Sequence, residues 1–545
     1  MKTLLTMAIA FALIAQNDRD PSTLAVDRWR ADLRYLAEQM PITHKDLFHT
    51  MTRDAFQRAI RQLDADIPTL DDDQITIRLL TISAMPTDSH TGPATQSLPR
   101  DNYFPLRLRH YDDGLYVESA APEFGDAVGG RVVRVGSTDA DELYAKMLAL
   151  IPHDAGNPGL LEVIGPLLMV SGRVLHGLGV EPTASRATFI VAKGRALREY
   201  TVTPQVPIGT IYGHAPISGW IDGRGTGAPP LWLMHPGRTF WWSYLPDKHL
   251  FYVQFNELEN AKDETVEQFF DDTFRHASRL PVDKLVLDIR TNDGGNNHLI
   301  TPIIVGLIRL QSVDRPGHLF VITSRNTYSA AQNLVNRLET YTNAIFVGQP
   351  TGQHVNSYGD PAPIDLPNSH IRVVMASVWW QDKDPRDKRI ETDPELAADP
   401  TFADYVANRD PAIDVIEGYR PVSSLEDSVL NGISNNGVSG GLAAYHAFAS
   451  NPLHRYILAR TEGRLNALGY QLVGSGRLRE AIAVFAVNAA ANPASANAAD
   501  SLGEAYADAG DRAKAIESYR RALELDPTLQ SSRDALVRLG AAGPK

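Results

Sequence analysis

The sequence predicts a multi-domain α/β protein with a helical N-terminal cap, a β-rich module, an α/β core and C-terminal helical repeats. Three observations carry this. Apolar residues fall at helical spacing from Asp27 to about Leu80, apolar strands alternate with helices from about Leu250 to Glu417, and the C-terminal end repeats itself at a period of 34 residues. At 545 residues the chain is too long for a single hydrophobic core.

The N-terminus reads Met1-Lys2-Thr3, then a mostly apolar run from Leu4 to Ala15, then polar Gln16 to Asp20. This is the layout of a signal peptide over 1–15, and the run is too short to span a bilayer. Export to the periplasm or medium is expected. The chain has no cysteine, which removes disulfides, thiolate metal sites, thiol nucleophiles and a lipid anchor. Net charge is −13, with no block of Lys and Arg able to neutralise a run of phosphates, so nucleic acid is not an expected partner.

In the cap, expected over 16–95, Trp29, Leu33, Leu36 and Met40 form one stripe and Phe56, Ile60, Leu63 and Ile67 another. The segment from Pro86 to Pro93 cannot continue a helix, so Ser89 and His90 lie on a loop. The β-rich module, 96–217, opens where Leu106 and Leu108 alternate with Arg107 and Arg109 before the Asp113-Gly114 turn. Gly129 to Val135, followed by a helical stretch to Leu150, resembles part of a PDZ domain. The core is expected over 218–420 and a helical linker over 421–456.

In the terminal region, 457–545, Leu468, Gly469, Gly476, Ala481, Phe485 and Pro493 recur as Leu502, Gly503, Gly510, Ala515, Tyr519 and Pro527. This pattern resembles tetratricopeptide repeats, in which small residues let paired helices approach and an aromatic fills the gap. The resemblance implies a groove for a polypeptide partner; two repeats could equally cap the core.

Within the core, the strand Leu319 to Ser324 runs through a short turn to Ser329, after which Ala331, Leu334, Val335 and Leu338 mark a helix face. A serine there is presented at a helix N-terminus whose free N–H groups can stabilise an oxyanion. Ser329 with Gln332 also reads as a capping box, a purely structural role. The strand Lys284 to Ile289 opens into a turn containing Gly294-Gly295, which permits close backbone approach to a bound group.

Asp288-Ile289-Arg290-x-Asn292-x-Gly294-Gly295, then Ser329-Ala330-Ala331-Gln332, then Gly348-Gln349-Pro350-Thr351-Gly352 resemble, in order and spacing, the tail-specific (C-terminal-processing) and tricorn-like serine peptidases. The resemblance covers roughly 25–420 and implies a ClpP/crotonase-like hydrolase core, with Ser329 as nucleophile and Gly294, Gly295 and the Ala330 N–H as oxyanion hole. The processing branch takes its base from a lysine at the position of His354 here. The tricorn-like branch places a Ser-His pair on the loop closing the cap, which Ser89-His90 matches, so the chain resembles that branch more. Its acid precedes the last core strand, where Asp387 fits by spacing.

The expected function is therefore peptide-bond hydrolysis through an acyl-enzyme on Ser329, with His90 as base, His354 as its rival, and no metal or cofactor. The alternatives are a non-catalytic polypeptide-binding scaffold and an esterase using the same serine. No His-Glu-x-x-His motif occurs.

Overall fold

The structure is a computed structural model that describes residues 24–94, 102–421 and 423–541. The expected signal peptide lies outside them. The chain divides into two compact units, Met1–Pro394 with Ala398–Gly418, and Glu395–Ala397 with Tyr419–Lys545. Among the described residues no helix is long and apolar enough to cross a membrane.

The first unit begins with three helices, α1 (Val26–Thr43), α2 (Arg53–Asp66) and α3 (Asp72–Ser83). On α1 the stripe Trp29, Leu33, Leu36 and Met40 is buried as its spacing predicts. Thr52 caps α2 through its hydroxyl, and α3 starts on a reciprocal capping box between Asp71 and Gln74. After α3, a two-residue strand β1 (Gly92–Pro93) pairs antiparallel with a distant strand, Arg372–Trp380. This pairing, which the sequence pattern does not reveal, anchors the loop that carries His90.

The β-rich module is a seven-stranded sheet. Its path runs β2 (Leu106–Tyr111), β3 (Gly114–Ala120), β4 (Arg131–Val135), β6 (Ala187–Lys193) and β7 (Ala196–Val202), with β5 (Thr138–Asp139) on β4 and β8 (Ile221–Asp222) on β3. Helices α4 (Ala140–Met147), α5 (Leu161–Leu168) and α6 (Gly172–Gly177) lie between β5 and β6 in the chain, and the short α7 (Ile208–Ile211) follows β7. The hairpin appears where expected, but a register shift between Arg107 and Leu108 turns Arg107 inward, where it pairs with buried Glu118 at 2.9 Å. One apolar cluster joins Trp29 of the cap, Phe189 of the module and Met375 of the last hairpin. The cap and module thus share a core across the boundary expected at residue 95.

The α/β core is a sheet in which β10 (Leu250–Phe255), β11 (Lys284–Asp288), β12 (Leu319–Thr323) and β13 (Ile345–Gly348) are parallel neighbours, with β9 (Phe240–Leu245) antiparallel at the β10 edge. Helices α8 (Val266–Ala277), α9 (Ile300–Arg309) and α10 (Ala330–Tyr341) connect the parallel strands. β11 and β12 are buried at every residue, as expected of parallel strands covered on both faces. A hairpin of β14 (Ser357–Asp365) and β15 (Arg372–Trp380) completes the three-stranded sheet with β1. The fold is multi-domain α/β.

The second unit is helical. The helix Leu425–Ala449 contains non-helical Asn436 and Gly437, and around that break Gly432 and Gly440 touch backbone to backbone. Helices Thr461–Gly474, Leu478–Ala491, Ala496–Asp508, Arg512–Leu525 and Gln530–Arg538 follow. The repeated small-aromatic pairs meet in space. A Cβ on Gly469 would lie 2.4 Å from the Phe485 ring, and one on Gly503 2.9 Å from Tyr519.

Candidate active site

Ser329 stands at the end of a turn that is stitched to the neighbouring strand. The Thr327 hydroxyl donates to the Ile289 carbonyl at 3.0 Å, the Ser324 N–H donates to Thr327 Oγ1 at 3.0 Å, and the Tyr328 N–H donates to the Asn292 carbonyl at 3.2 Å. At Ser329 itself φ is 57° and ψ −127°, a left-handed conformation that costs about 1–3 kcal/mol for a non-glycine residue. Its N–H donates to Gln353 Oε1, and its side chain makes no capping bond to α10. The expected capping box is absent. Gln332 instead donates to Asn336 and Thr392.

The Ser329 hydroxyl faces His90. Nε2 of His90 is 3.0 Å from Ser329 Oγ, a contact between residues 239 apart in the chain. Nδ1 of His90 is 3.3 Å from Ser89 Oγ. If Nε2 accepts the serine proton, Nδ1 carries the ring proton and donates it to Ser89. The imidazole lies against the Tyr328 ring, with centroids 4.9 Å apart and planes 19° apart.

The loop that presents His90 is held by buried carboxylates. Asp88 Oδ1 accepts from the His90 N–H at 3.1 Å and Oδ2 contacts His44 Nε2 at 2.8 Å. Asp154 accepts from the Ser89 N–H at 2.9 Å and from the His354 N–H at 2.8 Å, tying this loop to the one after Thr351. The Thr91 hydroxyl accepts from the Ala376 N–H of β15 at 3.0 Å. Burial pushes the His90 pKa below its ordinary value, against the opposing pull of Asp154, Asp88 and Asp360. The ring is therefore neutral near pH 7, the form that can take a proton.

The glycine turn lies against Ser329. Asn292 donates to the Phe255 carbonyl at 2.9 Å and accepts from the Gly294 N–H at 3.0 Å. The Gly294 N–H is thereby spent. Among the described residues the N–H groups of Gly295 and Ala330 have no acceptor, which leaves them available to an oxyanion. Burial raises Asp293 to about 6, and burial together with mutual repulsion raises Glu257 nearby.

Residues 496–529 match the tetratricopeptide repeat family model. No curated protein sequence matches the chain. Solved structures that resemble it in shape include the following three. Mature CPAF has 12% identity, covers 76% of this chain and 98% of its own, and gives a TM-score of 0.46. The photosystem II D1 C-terminal processing protease has 14% identity, with 68% and 92% covered and a TM-score of 0.33. The tricorn protease has 10% identity, with 72% and 36% covered and a TM-score of 0.32. At such identities the likeness says nothing of chemistry and singles out neither peptidase branch.

Of the residues expected at the site, Ser89, His90, Ser329, Gly294 and Ala330 are brought together, and Gly295 adjoins them. Asp387 is not brought to His90. Its carboxylate is held by Arg389, through Nε at 3.0 Å and Nη2 at 2.7 Å, because that guanidinium lies two residues along the same loop. His354 also points elsewhere, with Nε2 2.9 Å from the Ala155 carbonyl. Asp154 and Gln353 escaped the sequence reading. Asp154 sits in the unremarkable run Pro152-His153-Asp154-Ala155 and gains its partners only on folding.

His44, His49 and Asp88 offer three ligand atoms within 4.8 Å of one another. The Asp46 N–H donates to His44 Nδ1 at 2.8 Å, so His44 Nε2 carries the proton and donates it to Asp88. That ring has no lone pair left for a cation, and the cluster reads as a hydrogen-bonded support of the His90 loop.

Proposed function

We propose that the chain is a serine hydrolase that cleaves peptide bonds through an acyl-enzyme on Ser329. The observation that carries this reading is the 3.0 Å contact between His90 Nε2 and Ser329 Oγ. It unites a cap loop with a strained serine whose hydroxyl is withheld from capping its own helix. A purely structural serine would have no reason for either feature.

In this mechanism Ser329 Oγ attacks the substrate carbonyl as its proton passes to His90 Nε2. The Gly295 and Ala330 N–H groups receive the oxyanion. His90 then returns the proton to the departing amine, and a water activated by the same ring releases the acyl group. Ser89 accepts a hydrogen bond from Nδ1–H and fixes the ring tautomer, a task that needs no carboxylate at that nitrogen. The peptide substrate is inferred from the motif resemblance around Asp288, Ser329 and Pro350. The tetratricopeptide region is proposed to hold a polypeptide partner, and the N-terminal pattern supports export.

The test is labelling of the purified chain with a fluorophosphonate probe. Labelling of the wild type that disappears in Ser329→Ala and falls at least a hundredfold in rate in His90→Ala is expected. Absence of labelling in the wild type would defeat the catalytic reading in favour of a scaffold. Hydrolysis of p-nitrophenyl esters with no cleavage of a peptide library would move the assignment to an esterase.

A further inference from the structure

A cavity of about 130 Å³ lies inside the first unit, apart from the Ser329–His90 pair. One wall is formed at the carboxyl ends of β11, β12 and β13 by Thr291, Arg325 and Gln349, and the other by β2, β3 and the start of α5. The carboxyl ends of parallel strands are where open α/β sheets present ligand sites.

The charges lining this space do not balance. Arg109 is matched by Glu118 at 3.2 Å, Arg290 by Asp288 and Asp410 at 2.9 Å each, Arg325 by Glu391, and Arg409 by Asp404. Glu162 has no such partner. Its carboxylate receives only the Gln349 side-chain amide, at 3.1 and 3.4 Å, and among the described residues no cationic group pairs with it. Burial pushes its carboxyl up to about 7. Arg325 and Gln349 act against the rise, while Asp399 and Asp112 add to it. From α4, Tyr144 faces it as a neutral phenol. His110 and His214 in the lining are held below their ordinary pKa by burial and bring no positive charge near pH 7.

Aromatic rings of Tyr111, Trp232 and Tyr405 complete the lining. An entering anion would meet Glu162 with every arginine already committed. A neutral ligand would leave Glu162 as it is. A cation would give the carboxylate its counter-ion in a cavity that these rings also line.

We propose that this cavity is a binding site for a small organic cation, a primary ammonium on a short apolar body, with Glu162 as its counter-ion. An engineered cavity of about 150 Å³ takes benzene, so about five non-hydrogen atoms fit here. The site is independent of the catalytic reading, because neither Ser329 nor His90 lines it.

The experiment titrates the full chain with n-butylamine, using n-butanol and n-butyrate as neutral and anionic matches, by calorimetry and thermal shift. The amine is expected to bind saturably and the two controls not to bind. Between about pH 6.5 and about pH 8.5 its affinity should rise about fourfold as Glu162 ionises, the amine staying charged throughout. Glu162→Gln should weaken binding at least tenfold while leaving fluorophosphonate labelling unchanged. Val163→Phe, which narrows the cavity without altering a charge, should also weaken it. Equal binding of butanol or butyrate, pH-independent affinity in the wild type, no saturable binding of the amine, or an unchanged Kd in folded Glu162→Gln would each overturn the proposal.

Discussion

A Cβ placed on Gly294 would lie 2.5 Å from the Cβ of Ser329 and 3.0 Å from its Oγ, so the two residues touch with no room for a side chain between them. The φ of 112° at Gly294 is also one that other residues rarely adopt. Even a methyl group must therefore displace the Ser329 side chain or unwind the turn. Gly294→Ala should cut the rate of fluorophosphonate labelling at least a hundredfold with the fold retained by circular dichroism. Labelling within a few-fold of the wild type would mean that the turn does not position Ser329.

The backbone of Ser329 makes a second claim that can be measured without substrate. Its φ of 57° and ψ of −127° strain serine and alanine alike but not glycine. Both Ser329→Gly and Ser329→Ala remove the hydroxyl. Glycine gains freedom in the unfolded chain, which opposes folding by up to about 1 kcal/mol, while relief of strain is worth about 1–3 kcal/mol. Urea denaturation should therefore find Ser329→Gly more stable than Ser329→Ala by about 1 kcal/mol. The reverse order would remove the strain argument.

The His90 environment sets a pH window. Burial lowers its folded pKa below the ordinary 6.5, so the unfolded chain binds a proton in a range where the folded chain does not. The contribution to stability is thus present above about pH 6.5 and is lost as pH falls toward the folded value. The labelling rate requires neutral His90 and should hold at about pH 6.5, with its acid limb lying lower. A limb midpoint above about 7 would contradict a buried, neutral base.

The elements around Ser329 were legible because their signals are local. The switch from a buried strand to the helix face of Ala331, Leu334, Val335 and Leu338 marks the turn at Ser329, and the Gly294-Gly295 pair marks the adjoining one. Residues whose roles depend on distant partners were not legible. Asp154 reaches Ser89 and His354 across 65 and 200 residues, and β1 finds β15 through two residues only. The position implied by the resemblance points to Asp387, but the nearer Arg389 takes its carboxylate. Strand alternation misled at Arg107, where the bulge before Leu108 turns a guanidinium into the core.

Asp154 and Asp387 can be set against each other directly. Asp154 is buried and accepts N–H groups from both loops that frame His90, so Asp154→Asn must turn an amide against one backbone donor. The cost should be about 1–3 kcal/mol in stability, with labelling slowed at least tenfold as the His90 loop loosens. Loss of the nearby negative charge also removes a contribution that raises the His90 pKa, so the acid limb should move to lower pH rather than higher. Asp387→Asn leaves Arg389 bound to Glu339 at 2.6 and 2.8 Å. It should change stability by less than about 1 kcal/mol and leave the labelling rate and acid limb where they were. If Asp387→Asn slows labelling and Asp154→Asn does not, the acid that supports His90 is Asp387, and a rearrangement of the 381–389 loop must bring it there during turnover.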